Sequence, residues 1–126
     1  MKIDSIDHLV LTVRDIDATI AFYIDVLGME AVSFGVGRRA LAFGWQKINL
    51  HPAAAPLKPH AAQPTPGSAD LCLLSSVPIA ELVSHLGALG IAIEEGPVPR
   101  TGARGPILSV YFRDPDGNLI EVSNPA

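Results

Sequence analysis

The sequence has little cysteine, little charge and no long apolar run, and each shortage excludes a class of protein. One cysteine in 126 residues excludes an internal disulfide, so packing must hold the chain together, and a lone thiol suits a reducing compartment. Charged residues make up only 17% of the chain and the net charge is −4, without the basic stripe that nucleic-acid binding requires. No apolar run approaches the roughly 20 residues of a membrane-spanning helix. We therefore expect a cytoplasmic protein that binds neither nucleic acid nor membrane.

What the chain does contain is an internal repeat. Adding 62 to the residue number aligns the two halves without a gap, pairing Leu9 with Leu71, Leu11 with Leu73, Ala18 with Ala80, Ile20 with Leu82, Leu27 with Leu89 and Gly28 with Gly90. A repeat of this length indicates one supersecondary unit used twice. Since 48% of the residues are hydrophobic, there is ample material for a packed core.

Each half begins with a strand followed by a helix. Residues 7–13 and 70–75 alternate apolar and polar side chains, which predicts two half-buried strands. The apolar residues that follow each strand have helical spacing. The expected N-caps are Asp15 and Ser76, Pro78 falls in the first turn of the second helix, and the expected stops are Gly28 and Gly90.

Extended segments and turn residues fill the rest of each half. The predicted strands are 30–36, 39–43 and 47–51 in the first half, and 91–95, 107–113 and 118–123 in the second. The run Asp114-Pro115-Asp116-Gly117 has the composition of a type I turn between two strands.

These elements predict an α+β fold of two fused β-α-β-β-β modules that form a cup-like mixed sheet with the helices outside. Module 1 covers about residues 1–51 and module 2 about residues 69–126. Residues 52–68, with five prolines, are expected to be a linker. The whole of 1–126 is expected to be one domain.

Alternation along the strands places a set of polar residues on the sheet face opposite the helices. The set comprises His8, Asn49, His51, Asp70, Cys72, Glu121 and Ser123. In the repeat, His8 matches Asp70 at the offset of 62. Asn49 matches Glu121 at an offset of 72, because the loops of the second half are longer by ten residues. If a two-fold pseudo-axis relates the modules, these four positions surround a cleft, and imidazole with carboxylates can bind a divalent metal.

Several motifs together resemble the vicinal oxygen chelate superfamily, which includes glyoxalase I, extradiol dioxygenases, fosfomycin-modifying enzymes and bleomycin-resistance binding proteins. The resemblance covers essentially the whole chain, and the chain looks most like the small glyoxalase-domain proteins. Its motifs are the opening IDHLVLTV at 6–13, AFY at 21–23 with VLGM at 26–29, and the closing FRDPDGNLIE at 112–121.

The resemblance implies a metal site. Its ligands would be His8, Asp70 and Glu121, with Asn49 where glyoxalase I has a further glutamate and where this chain would contact substrate instead. Asp70 replaces the usual histidine, so one imidazole remains unless His51 joins the set as a ligand or acts as a base. Nickel, zinc, manganese, cobalt or Fe(II) would suit such donors.

Three further residues are candidates for substrate binding. The loop 95–105 contains Arg100 and Arg104 and would act either as a lid that offers guanidinium to an anionic substrate or as an ordinary exposed loop. Tyr111 lines the pocket by parity. Cys72 is interpreted as a packing residue rather than a nucleophile.

The leading functional hypothesis is a metal-dependent, homodimeric enzyme acting on a small molecule with vicinal oxygens. Its reaction would be that of a glyoxalase-like lyase or isomerase, or of a ring-cleaving dioxygenase, with Glu121 and His51 as catalytic groups. The alternative is a metal-free protein that sequesters a small molecule, as the bleomycin-resistance relatives imply.

Overall fold

The computed structural model describes all 126 residues and contains eight strands and two helices. The strands are β1 His8–Val13, β2 Glu30–Phe34, β3 Arg38–Phe43, β4 Gln46–Pro52, β5 Asp70–Leu74, β6 Glu95–Gly102, β7 Gly105–Arg113 and β8 Leu119–Pro125. The helices are α1 Ile16–Leu27 and α2 Ile79–Ala88.

The strands form two mixed four-stranded sheets with equivalent orders, β1-β4-β3-β2 and β5-β8-β7-β6. The first and last strands of each module pair in parallel, and the other pairs are antiparallel. The predicted β-α-β-β-β repeat and α+β class are therefore confirmed. The chain divides into two compact units, Met1–Gly67 and Ser68–Ala126, so the predicted linker belongs to the first unit except for its last residue, Ser68.

Helix α1 begins and ends where local chemistry dictates. The Asp15 carboxylate accepts a hydrogen bond of 2.9 Å from the Ala18 amide, which satisfies one of the free donors of the first turn. Gly28 ends the helix with a φ of 65°, a conformation that strains any residue with a Cβ. Both predicted boundaries are confirmed.

Helix α2 starts differently from the prediction, because Ser76 does not cap it. Pro78 occupies the N-cap position and offers no side-chain hydrogen bond. The Asn124 side chain instead accepts a 2.7 Å bond from the Ile79 amide and donates to the carbonyls of Ser75 and Val77. A residue at the end of β8 thus caps the helix. The predicted stop is confirmed, since Gly90 follows the helix with a φ of 70°.

The second correction concerns β6. The prediction placed a strand at 91–95 and a loop at 95–105, whereas β6 spans Glu95–Gly102 and pairs with β7. Glycine and proline made this segment look like a loop, yet proline is tolerated on an edge strand and at a bulge. The register does shift between Glu95 and Val98. Because Arg100 lies on this paired strand, the segment is neither the lid nor the exposed loop that the sequence left as alternatives.

Each helix packs on one face of its own sheet, and the apolar residues of that face are buried. In the first module this core includes Leu11, Val13, Ile20, Tyr23, Val26, Leu41, Ile48 and Leu50, and in the second it includes Leu82, Leu86, Val110, Phe112, Ile120 and Val122. The residues that alternate with them occupy the opposite face. No helix is both long and apolar enough to span a membrane.

Candidate functional site

The strand registers place the predicted polar residues of the second module on one sheet face. Glu121 of β8 lies beside Cys72 of β5 and Tyr111 of β7, and Ser123 lies beside Ser109. We call Cys72, Ser109, Tyr111, Glu121 and Ser123 the polar face of the second module. Five such side chains on adjacent strands can form one hydrogen-bonded network.

Glu121 is the centre of that network. Ser109 donates a 2.7 Å hydrogen bond to Glu121 Oε2, and Ser123 donates a longer one of 3.4 Å to the same oxygen. The hydroxyls of Ser109 and Ser123, both fully buried, are 2.6 Å apart. Because each hydroxyl has one proton, Ser123 shares its proton between the Ser109 oxygen and Glu121, and Ser109 is the main donor that orients the carboxylate.

Cys72 extends the network without becoming reactive. Its Sγ lies 3.3 Å from the Ser123 hydroxyl. Removal of the thiol from water raises its pKa, an effect that the Ser123 hydrogen bond opposes and the Glu121 charge reinforces. A raised pKa leaves little thiolate at neutral pH, which argues against a nucleophile. Cys72 is exposed, however, so the interpretation of this residue as buried packing is wrong.

Tyr111 connects Glu121 to a cation. Arg100 donates from Nε to the Tyr111 hydroxyl at 3.0 Å and from a terminal nitrogen to Glu95 at 3.0 Å. Burial raises the pKa of Tyr111, Arg100 opposes that rise and Glu121 adds to it. The phenol is thus a neutral hydrogen-bonding group beside the carboxylate.

Two predicted residues of the second module lie outside this network. Asp70 is exposed at the start of β5, on the same face as Cys72 but across from Leu119. Arg104 is exposed in the turn between β6 and β7 and makes none of the contacts of Arg100. The structure therefore groups Tyr111 and Arg100 with Glu121 and leaves Arg104 apart.

In the first module, His8 is oriented by its neighbour in sequence. Its Nδ1 lies 2.7 Å from an oxygen of Asp7, and the side chain is 43% exposed. This carboxylate–imidazole contact leaves Nε2 for another partner. Metal-binding histidines commonly use one ring nitrogen in this way while the other binds the ion.

His51 and Asn49 are buried without partners. His51 is 2% exposed and Asn49 5% exposed, and neither His51 ring nitrogen nor Asn49 Oδ1 has a hydrogen-bond partner. Burial, the charge of Arg38 and the charge of His60 lower the pKa of His51, so its ring is neutral at pH 7. Buried polar groups are normally paired, and exceptions often mark a site for water or ligand.

Register separates the two histidines that the sequence placed in one ligand set. His8 pairs with Lys47, whereas His51 pairs with Thr12, four positions further along β4. Four residues of strand span about 13 Å. The prediction that His51 joins His8 at the metal is therefore not supported, and a contact of His51 with substrate fits its position better.

The other predicted ligands are divided between the modules. His8 belongs to the first unit, and Asp70 and Glu121 belong to the second. No three His, Cys, Asp or Glu side chains are gathered into a group that could hold an ion. A site built from these ligands needs donors from both kinds of module, and it remains a prediction.

Sequence reasoning missed a cationic group in the first module. The Phe34 ring lies 3.7 Å from Lys47 Nζ and 4.9 Å from Arg38 Cζ, measured to its centroid. Register places all three side chains on the face that carries Asn49 and His51. The only signal in the sequence was the alternation that places them on the same face as Asn49. Using that signal required the pairing registers of two hairpins, which the sequence does not give.

Comparisons with known proteins agree with this architecture. The profile of the family described as Glyoxalase/Bleomycin resistance protein/Dioxygenase superfamily matches residues 5–122. Virulence protein STM3117 of Salmonella typhimurium is 61% identical over 123 residues, which cover 98% of this chain and 85% of that protein. Its crystal structure has a TM-score of 0.98 at 60% identity, with both chains fully covered.

Two further proteins are similar over nearly the whole chain. Glyoxalase domain-containing protein RDO1 of Mycosarcoma maydis is 55% identical over 124 residues, 98% of this chain and 70% of that protein. The crystal structure of lactoylglutathione lyase from Agrobacterium tumefaciens has a TM-score of 0.75 at 27% identity, covering 98% of this chain and 96% of that one.

Proposed function

The chain belongs to the Glyoxalase/Bleomycin resistance protein/Dioxygenase superfamily, and from this premise we propose that it is a divalent-metal-dependent enzyme acting on a small molecule with two adjacent oxygens. The similarity to a lactoylglutathione lyase favours a lyase or isomerase over a ring-cleaving dioxygenase. Lyases and isomerases of this kind transfer a proton at a carbon next to an oxygen, so they need a basic group near the substrate.

The observation that carries the proposal is the orientation of the Glu121 carboxylate by hydrogen bonds. Ser109 and Ser123 both bind Oε2, and a carboxylate oriented in this way is ready to bind an ion or accept a proton. Outer hydrogen bonds of this kind hold metal ligands in position. His8 has the same character, with Nδ1 beside Asp7 and Nε2 available.

The donor set fits a divalent transition metal. His8, Asp70 and Glu121 would supply one imidazole and two carboxylates, which suit manganese, Fe(II), cobalt, nickel or zinc. The metal would supply Lewis-acid polarisation of the substrate oxygens. Because Asn49 stands where glyoxalase I has a carboxylate, fewer bases are present, and glutathione-dependent glyoxalase I activity itself is not expected.

The neighbours of Glu121 have separate tasks in this proposal. Tyr111 keeps its proton, because burial and Glu121 raise its pKa, and it donates a hydrogen bond to a substrate oxygen. Arg100 holds the phenol in place through its 3.0 Å bond to the hydroxyl. Glu121 either binds the ion or moves the proton.

We also expect a homodimer in the cytoplasm. Val10 and Leu74, on the faces that the helices leave open, are 43% and 65% exposed, and we propose that association of two chains covers them. Light scattering at micromolar concentration tests this, with twice the chain mass of 13.3 kDa expected.

Activity measurements distinguish the reactions. Purified protein loaded with manganese, nickel or Fe(II) is assayed, without glutathione, for isomerisation of α-oxoaldehydes and for oxygen uptake with catechols. The proposal predicts the first activity and its loss in Glu121→Gln. Oxygen uptake would assign the dioxygenase reaction. The absence of metal binding under all loading conditions would favour the metal-free binding protein.

A further inference from the structure

The first module carries a group of polar and cationic side chains to which the metal hypothesis gives no role. Arg38, Lys47, Asn49 and His51 lie on one face of the sheet of β1 to β4, and Phe34 lies between the two cations. We call these five residues the basic face of the first module. They need an explanation of their own.

The two cations of this face lack counter-charges. Arg38 and Lys47 are half-buried and form no ion pair. The carboxylate of Glu30 shares this face by register but is exposed and unpaired with either cation. Removing a cation from water without an opposite charge is costly, so this arrangement favours an anion.

Asn49 and His51 add a second requirement. Asn49 Oδ1 accepts hydrogen bonds and needs a donor, and a neutral imidazole has one nitrogen that donates and one that accepts. All three atoms are buried and unpartnered. A ligand hydroxyl group can pair with these atoms, since it donates one hydrogen bond and accepts others.

We propose that the basic face of the first module binds a small hydroxylated carboxylate. Its carboxylate lies against Arg38 and Lys47, and its hydroxyl bonds to Asn49 and His51. The planar guanidinium of Arg38 matches the geometry of a carboxylate. This inference rests on the proposed function to the extent that it names the substrate class, and a 2-hydroxy acid does carry two adjacent oxygens.

Binding of L-malate to protein kept metal-free with EDTA tests this. The titration is followed by the histidine ring signals in proton NMR and by calorimetry. We expect saturable binding that shifts the His51 signals. Succinate lacks the hydroxyl and should bind about ten-fold more weakly, because it leaves the buried groups unpaired.

The matched variants are Arg38→Gln and Arg39→Gln, adjacent in β3 but on opposite faces, with Arg39 beside Asp17 of α1. We expect Arg38→Gln to weaken malate binding about ten-fold or more and Arg39→Gln less than two-fold. If Arg38→Gln fails to fold by circular dichroism, Arg38→Lys and Lys47→Gln replace it, each with an expected weakening of several-fold.

Equal effects of the Arg38 and Arg39 variants, or unchanged His51 signals at saturation, would overturn the proposal. Inorganic phosphate binding as tightly as malate would also overturn it, since the face would then select charge alone. Because the titration excludes metal, it is independent of the enzyme hypothesis. Malate binding without metal affinity would refute only the enzyme, and metal affinity without malate binding would refute only this inference.

Discussion

The Ser109 hydroxyl donates a 2.7 Å hydrogen bond to Glu121 Oε2, and the two residues lie on adjacent antiparallel strands of one sheet face. Ser109 is fully buried, so neighbouring side chains restrict its rotation. A rigid donor of this kind holds the carboxylate in one orientation. If Glu121 is a ligand, Ser109 is the residue that positions it.

Ser109→Ala is therefore expected to weaken metal binding about ten-fold while leaving the ligand set intact, since loss of an outer hydrogen bond commonly costs 10- to 100-fold in affinity. Competition with a chromophoric chelator measures the change. Ser75→Ala provides the control, because its hydroxyl binds only the Val77 amide. Equal metal affinity in wild type and Ser109→Ala would show that the serine does not position a ligand.

Asn124→Ala should destabilise the second module by about 2 kcal/mol, because it removes the cap of α2 and leaves the Ile79 amide without its acceptor. Urea denaturation gives the difference in free energy of unfolding. Ser76→Ala, at the position that the sequence suggested for the cap, should change it by less than about 0.5 kcal/mol. A reversed order would restore Ser76 as the cap.

Gly96→Ala should strongly lower the free energy of unfolding, because backbone atoms of β7 lie close to Gly96. Gly96 has a φ of 107°, and an added Cβ would collide with the Ser109 carbonyl oxygen and approach Val110 Cα at 3.0 Å. Both are backbone atoms, so the strand must shift. We expect a loss of about 3 kcal/mol or more, measured by urea denaturation.

The control for that substitution is Gly117→Ala, where φ is 88° but a Cβ meets nothing within 4 Å. Only backbone strain remains there, which predicts a loss of about 1 to 2 kcal/mol. Similar losses at the two positions would mean that the contact of Gly96 with β7 is unimportant.

Most of the fold was predictable because its strands, helix caps and helix stops are specified by residues close to them in sequence. Alternation in β1 and β5, the Asp15 cap and the Gly28 stop all lie within a few residues of the structure they specify. The α2 cap was not predictable, because Asn124 lies 45 residues from Ile79. Strand β6 was missed because its glycines and prolines are tolerated only through its pairing with β7.

The candidate site was predictable in part for the same reason. Parity placed Glu121 and Tyr111 on one face, which the register confirms. The alternation of side chains assigns a residue to a sheet face but gives no distance along the strand. The separation of His8 from His51 is therefore known only from the pairing register of β1 and β4. The unpartnered state of His51 depends on tertiary burial, which no local pattern encodes.

Cys72 gives a pH-dependent prediction. Burial raises the pKa of its thiol, and thiolate is the reactive form, so alkylation by iodoacetamide should be slower than that of free cysteine at pH 7.5. The rate should rise as pH increases through and beyond the usual thiol range. Ser123→Ala removes the hydrogen bond that lowers the pKa, so its profile should move to still higher pH. A profile at or below that of free cysteine would contradict this account.

The metal content of the protein is the most direct test of its proposed chemistry. Elemental analysis after reconstitution with manganese, nickel, zinc or Fe(II) and removal of free ion gives the number of ions per chain. The account predicts about one ion per chain in wild type and a large loss in His8→Ala and Glu121→Gln, with Cys72→Ala unchanged. No bound ion in wild type, or the same content in His8→Ala and Glu121→Gln as in wild type, would contradict it.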